Sequence, residues 1–314
     1  MSETEERATP QLWHGLRASG RNLHTARRAA ACSWGFRETA RRALGKGRTL
    51  KLTKQECLEI AMRQSAAELG CTPADFVRGE NLVLPAAPAH PAARKYLVLP
   101  QVCALVSYGG NVVATASDTL LPTVRDYVSR YAAAHCFETP NLLMLEDALA
   151  KHGFRVCFMA EYFLPDPARI CPLECGFTVK RMTAADFASL YLPEWSNALC
   201  EKRRELDVLG MGAYDGARLV GLAACSADCA DMWQIGVDVL PAYRMHGIAS
   251  ALTSRLALAV LERGKVPFYC AAWSNLRSVR NALRSGFYPA WVELAAKPAD
   301  FVETMNRESV HRDA

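Results

Sequence analysis

The chain has 314 residues, 51% of them hydrophobic, and a formal net charge of +5 at pH 7. That much apolar content supports a sizeable core with room for two domains, and no segment approaches the ~18 consecutive apolar residues that span a bilayer. Twelve cysteines lie scattered through apolar segments with no pairing rhythm, which points to reduced thiols in a cytoplasmic protein rather than to a disulfide scaffold.

Charge is distributed unevenly. Residues 1–54 hold twelve Lys and Arg against four acidic residues, a local +8, so residues 55–314 sum to −3. The start, Met1-Ser2-Glu3-Thr4-Glu5-Glu6, is acidic and lacks an apolar run, unlike a secretory signal. Residues 1–50, with Arg27-Arg28, Arg41-Arg42, Lys46 and Arg48, read as a basic, flexible arm. The competing reading, contact with nucleic acid or another polyanion, is the less favoured one, because charge runs of this kind commonly stay solvated.

Residues 51–168 read as an N-terminal α/β domain. Thr53 is placed as the N-cap of a helix that runs to Gly70, with Glu56 three residues on completing a capping box. Residues 85–91 form a proline-rich surface loop. Residues 107–116, with Gly109-Gly110-Asn111 at the turn, read as a hairpin, and 213–223, with Asp215-Gly216, as a second one. Asp147-Ala148-Leu149 leads to Gly153-Phe154 and a strand, just as Asn281-Ala282-Leu283 leads to Gly286-Phe287 and a strand. These parallels suggest that 95–165 is a reduced copy of the C-terminal half; coincidence of common hairpin and helix-stop chemistry is the other reading.

Pro165, Pro167 and Pro172 mark an interdomain connection. A strand follows at 177–182, then a helix capped by Thr183 and broken at 192–196. Next come a strand at 232–240 stopped by Pro241, a loop, a helix at 250–263, and a buried strand at 266–273. Ser274-Asn275, a helix at 276–285, Gly286-Phe287, a strand at 288–295 and a tail at 298–314 complete the order. Cys171-x-x-x-Cys175 and Cys225-x-x-x-Cys229 lack the usual zinc-ligand spacing and a nearby histidine, so no metal site is expected.

The loop Tyr243-Arg244-Met245-His246-Gly247-Ile248-Ala249-Ser250 is the chemically richest stretch. It joins a strand to the N-terminus of an apolar helix, where unpaired amides and the helix dipole favour an anion such as a diphosphate. Gly247 permits close backbone approach, Ala249 keeps the first turn free of bulk, and Arg244 adds a charged donor.

The ordered set strand, R-x-x-G-x-A, helix, strand, N-x-x-S, helix, G-F, strand resembles the GNAT acetyltransferase superfamily over residues 176–297. The resemblance implies an α/β (α+β) GNAT fold, a mixed central sheet flanked by helices, with the N-terminal α/β domain packed on it. It implies acetyl-CoA as co-substrate, its pyrophosphate on the amides of residues 244–250 and its pantetheine and adenine side near Asn275 and Ser278. Asn275 also suits the N-cap of the following helix. The strands 232–240 and 266–273 are expected to splay around the cofactor, with a carbonyl-polarising amide near Val237 or Val239. Glu194 and Trp195 fall in the region that covers the acceptor, although a Trp beside a helix break is also a common packing anchor.

Two departures from the family pattern concern proton transfer: the usual Tyr position is Ala282 and a usual Glu position is Cys270. Three readings follow. Acid and base sit elsewhere, with Asp228, Asp231 and Asp238 as candidate bases and Tyr269 or Cys270 as proton donors; or proximity alone suffices; or the domain binds acetyl-CoA without turnover. Asp228, Asp231 and Trp233 also supply carboxylates and an aromatic face for an amine, while a solvated turn explains the two carboxylates equally well. The expectation is an N-acyltransferase that moves an acetyl group from acetyl-CoA to a primary amine on a small molecule or peptide. The alternative is a non-catalytic acetyl-CoA-binding regulatory module.

Overall fold

The strands of the described residues join into one ten-stranded mixed sheet, ordered β1-β3-β2-β10-β4-β9-β8-β7-β6-β5. In chain order these are β1 (Leu82–Pro85), β2 (Cys103–Ser107), β3 (Val113–Ala116), β4 (Phe154–Pro165), β5 (Thr178–Thr183), β6 (Asp207–Asp215), β7 (Arg218–Ser226), β8 (Met232–Val239), β9 (Val266–Ala271) and β10 (Phe287–Pro298). The helices are α1 (Lys54–Leu69), α2 (Leu121–Arg130), α3 (Thr139–Ala150), α4 (Ile248–Leu261), α5 (Leu276–Arg284) and α6 (Ala299–Val310). The structure is a computed structural model and describes residues 52–310, with side chains to 307. The basic arm at 1–50 lies outside the described residues.

Local chemistry explains the element ends. Thr53 and Glu56 close the expected capping box on α1, and Gly70 ends that helix in a left-handed conformation. Helix α4 carries apolar or small residues on every side, and twelve of its fourteen residues are buried, as a helix set into a core requires. Its first turn presses on β7 and β8: a Cβ built on Gly221 would meet Ile248 at 2.6 Å and Val239 at 3.5 Å.

The two halves of the chain interlock. Strand β4 pairs antiparallel with both β9 and β10, and β10 pairs with both β4 and β2. The strand that follows α3 therefore lies between two strands of the C-terminal half, and the strand that follows α5 lies between two of the N-terminal half. Each of these 12-residue strands begins at a Gly-Phe step after a helix. The hairpins differ in setting: β2–β3 lies directly beside β10, whereas β8 and β9 stand between β6–β7 and β4. Among its described residues the N-terminal half has no counterpart of β8, α4 and β9.

Two expectations are corrected here. The helix expected from Ala184 is three separate 3-10 turns, Ala184–Phe187, Pro193–Trp195 and Glu201–Leu206. Only the cap is as expected, with Thr183 and Asp186 in a capping box. A continuous helix is interrupted here: the Asn197 amide donates to Asp238, and the Ala198 amide is shared between Asp238 and the Trp195 carbonyl. The tail expected at 298–314 is helical over Ala299–Val310, anchored by the Ala299 amide on the Gly153 carbonyl and by Phe301 edge-on against Phe158.

Candidate functional site

Strands β8 and β9 are parallel but pair only at Met232↔Val266, Trp233↔Pro267 and Gln234↔Phe268. Beyond Gln234 they part. Strand β8 stays on β7 as far as Gly221↔Val239, while β9 stays on β4 through Phe163↔Tyr269 and Tyr162↔Cys270. The Leu240 amide donates to Val220 on the β7 side, so by strand alternation Ile235, Val237 and Val239 turn their backbone groups toward the opening. Val237 and Val239 thus present backbone groups to the side where β9 has departed.

The opening leads to the loop. A 3-10 turn, Pro241–Tyr243, closes β8, and Arg244 Nε donates to the Val239 carbonyl at 3.1 Å. Met245 (φ 68°) and Gly247 (φ 77°) are both left-handed. Met245 is 97% exposed, so packing does not account for its conformation, and a non-glycine residue there is strained. A Cβ on Gly247 would meet nothing nearer than the Glu174 carbonyl at 4.0 Å; the glycine serves the backbone angle rather than relieving crowding. His246 stands edge-on to Phe177 at 6.3 Å. No side chain caps α4, so the Ile248, Ala249 and Ser250 amides are open to an anion. The Ile248 and Ser250 side chains are buried and leave only backbone for a ligand. Asn275 accepts from the Ser278 amide at 3.2 Å and caps α5.

The two faces of the sheet differ in cover. Odd-numbered Val239 meets α4, whereas a Cβ on Gly236 would fall 1.8 Å from the Asn197 carbonyl oxygen. The segment 193–206 therefore covers the even face of β8. Asp238 fastens it: its Oδ2 accepts from the Asn197 and Ala198 amides at 2.9 Å and its Oδ1 from Asn197 Nδ2 at 2.7 Å. Asp238 is engaged as an anchor, so its candidacy as a base is not supported by its surroundings. Trp195 is 4% exposed among Met182, Phe187, Leu199 and Leu222, a packing anchor rather than a substrate contact, while Glu194 is exposed.

Other candidates sit apart from the loop. Asp228, Asp231 and Trp233 lie at the N-terminal end of β8; the eight residue steps from Asp231 to Val239 span about 26 Å. Asp228 is fully buried and ion-paired with Arg203, and Asp231 is exposed beside Lys265. Cys270 accepts from Gln234 Nε2 at 3.2 Å across the point where the strands part. Burial pushes its thiol up to about 11, so thiolate is scarce at neutral pH. Tyr269, next in sequence, points to the opposite face and is 4% exposed; burial raises its phenol too. Ala282, in the usual acid's place, is fully buried. Among the described residues no group of His, Cys, Asp and Glu is arranged to hold a metal ion, and no helix is long and apolar enough to cross a membrane.

A buried polar cluster centred on Arg94 was not foreseen from the sequence. Arg94 is 4% exposed and donates through Nε and Nη2 to Glu68 at 2.8 and 2.5 Å, through Nη2 to both Glu293 oxygens at 2.8 and 3.0 Å, and through Nη1 to Tyr96 Oη at 2.9 Å. Trp291 Nε1 also donates to Glu293. Tyr162 stacks on Trp291 at 4.8 Å and faces the Arg94 guanidinium at 5.5 Å. Arg94 also lines a cavity of about 10 Å³ with Ser65, Met232, Phe268 and Trp291, which sets the cluster against the paired stretch of β8 and β9. One signal was legible: Glu68 falls on the α1 stripe of Cys57, Ala61 and Ser65, where a carboxylate needs a buried partner.

Residues 167–290 match the family model described as GNAT acetyltransferase. No curated protein matches the chain. Among solved structures, a GCN5-related N-acetyltransferase-like protein from Streptococcus suis is 23% identical, with a TM-score of 0.38 over 50% of this chain and 68% of that one. An acetyltransferase of the GNAT family from Colwellia psychrerythraea is 15% identical (TM-score 0.36, 48% and 61%). A GCN5-related N-acetyltransferase from Kribbella flavida is 19% identical (TM-score 0.34, 48% and 62%). The chain thus spans 61% to 68% of the length of these three structures. Residues 167–290, in the C-terminal half of the chain, are thus similar to a GNAT acetyltransferase domain.

Proposed function

We propose that the protein is an acetyl-CoA-dependent N-acyltransferase whose acceptor is a primary amine on a small molecule or peptide. The observation that carries this is the parting of β8 and β9 beyond Gln234, which opens onto the two left-handed residues of the 244–247 loop at the uncapped start of α4. These residues fit the group. A diphosphate would be held by the amides of Met245 to Ser250 with the helix dipole behind them. Arg244 has its Nη groups without a partner among the described residues. The Val237 backbone and the Val239 amide, without a strand partner on the open side, would face the chain that leads to the thioester, and Asn275 and Ser278 lie at the start of α5. When bound, acetyl-CoA supplies the activated acyl group.

This chain's own residues then supply placement. Holding an amine against a fixed thioester can account for ~7 kcal/mol or more of the barrier without any side chain moving a proton, which matters because Ala282 and Cys270 stand where the family's acid and base are expected. The segment 193–206 over the even face of β8 is where the acceptor side would be bounded. Nucleic acid and membrane are not proposed as partners, and a cytoplasmic setting suits the free thiols.

Calorimetric titration with acetyl-CoA, beside a free-thiol release assay over a panel of primary amines, tests the reading. Gly247→Glu places a carboxylate where the diphosphate would lie and should abolish binding. Binding lost in that variant together with thiol release from the wild type is the expected outcome. Binding without release from any amine would favour the regulatory module, and no binding would refute the proposal.

A further inference from the structure

The segment 92–96 belongs to the N-terminal half, yet it is fixed to the C-terminal half at two points. The Lys95 amide donates to the Asp228 carbonyl at 2.9 Å, and Arg94 bonds Glu293 of β10. Arg94 is held by two carboxylates from two other elements, so its guanidinium has one orientation, and in that orientation Nη1 donates to Tyr96 Oη. A phenol that accepts from a guanidinium turns its own proton away from it. Among the described residues no acceptor takes that proton. The Tyr96 ring is covered on one side by the Arg203 guanidinium at 5.0 Å, and Tyr96 is only partly buried.

The cluster lies on the face of the sheet that matters. Arg94 faces Tyr162 at 5.5 Å; Tyr162 is the cross-strand partner of Cys270; and Cys270 Sγ takes the hydrogen bond of Gln234, the last β8 residue paired with β9. Cross-strand partners point to the same face, so Tyr162, Cys270 and Gln234 connect the Arg94–Tyr96 pair to the point where the strands part. Tyr269, the other phenol near this point, faces away.

We propose that Tyr96, oriented by Arg94, completes the transfer site from the N-terminal half as the proton donor to the departing sulfur. The inference rests on the function proposed above. In the step, the acceptor nitrogen forms its bond to the acyl carbon and the carbon–sulfur bond breaks with its electron pair left on sulfur. Tyr96 gives its hydroxyl proton to that sulfur, and the proton shed by the nitrogen restores the phenol through water. Arg94, a positioning residue, fixes the phenol and faces the phenolate formed during the step. Burial raises the Tyr96 phenol above its ordinary value, with Arg94 acting in the opposite direction, so the hydroxyl carries its proton at neutral pH.

The test requires no knowledge of the acceptor. CoA and desulfo-CoA, in which hydrogen replaces the thiol, are titrated calorimetrically into wild type, Tyr96→Phe, Arg94→Lys and Tyr269→Phe. A hydroxyl that meets the sulfur makes the wild type prefer CoA by about 2- to 10-fold. Tyr96→Phe should bring the ratio to about one, Arg94→Lys should lower it with Tyr96 itself intact, and Tyr269→Phe should keep it. An unchanged ratio in both Tyr96→Phe and Arg94→Lys, or no preference in the wild type, overturns the inference while leaving the proposed function standing. If the wild type binds neither ligand, the proposed function itself fails.

Discussion

Replacing Arg94 by Met is the most exacting perturbation of this fold, because it strands two carboxylates in the interior at once. Glu68 is 1% and Glu293 16% exposed at the side chain, and Arg94 is the positive charge between them. Met keeps much of the volume and removes five donor contacts. Breaking a buried ion pair by deleting one partner costs about 3–5 kcal/mol, most of it from the charge left behind. Two stranded carboxylates place this variant at the upper end, unless one of them protonates. That qualification makes the prediction sharper: in the variant, desolvation favours the neutral carboxyls, so the loss should shrink as pH falls toward 4. Urea unfolding at pH 7 and pH 4.5, followed by tryptophan fluorescence, measures it. The double variant Glu68→Met/Arg94→Met should lose less than the sum of the singles, since a removed pair leaves one carboxylate fewer without a counter-charge. A loss under about 1 kcal/mol at pH 7, or one that does not depend on pH, would show that water reaches the cluster and that the buried-charge argument is wrong.

Gly236→Ala tests the cover over β8: its Cβ would sit 1.8 Å from the Asn197 carbonyl oxygen, a backbone atom that cannot yield by rotating a side chain. The variant should lose about 1–3 kcal/mol and gain limited-proteolysis cleavage within 193–206; an unchanged cleavage pattern would mean that the segment is not held there. Asp207, 1% exposed, has its carboxyl raised from 3.8 to about 6 by burial, against the lowering by the Cys200 amide. The folded state then binds more protons than the unfolded state between those values, so this group's contribution is fully present below about pH 4 and is lost as pH rises through 6. The displacement corresponds to at most about 3 kcal/mol. Asp207→Asn should therefore gain stability relative to wild type between pH 4 and pH 7, and a difference that stays constant over that range in denaturant melts would refute the assignment.

What the sequence shows and hides follows from the range of the interactions. The β8–loop–α4 unit was legible because its signals are local: Pro241 ends a strand, Gly247 permits a left-handed turn, and a run of apolar residues makes α4. The Thr53–Glu56 capping box and the N-cap at Asn275 are likewise contacts between residues three apart. The Arg94 cluster was hidden because Glu68, Arg94 and Glu293 are distant in sequence and meet only when β10 lies between β2 and β4. Nothing in a stretch such as Trp291-Val292-Glu293-Leu294 distinguishes a solvent-facing glutamate from one opposite a buried arginine. The short helices over 184–206 failed for the same reason: the competitor for the Asn197 and Ala198 amides is Asp238, forty residues later, and local propensity does not register it.

The exchange of β4 and β10 bears on how the protein can work. A strand at the edge of a domain can be added or lost with little consequence, but among the described residues β4 alone bridges β9 and β10 by backbone pairing. The parting of β8 from β9 depends on it: β9 can leave β8 beyond Phe268 because Tyr269, Cys270 and Ala271 find backbone partners on β4. Without that strand, the last residues of β9 would expose unpaired groups or close back onto β8, and the opening that leads to the 244–247 loop would narrow. The N-terminal half is in this sense part of the cleft proposed to hold the cofactor, even though its described residues carry no comparable loop. Separating the chain at the proline-rich connection near residues 165–172 should therefore yield a C-terminal fragment that does not fold as a cleft, and adding back the missing half should restore it only if β4 can reinsert between β9 and β10.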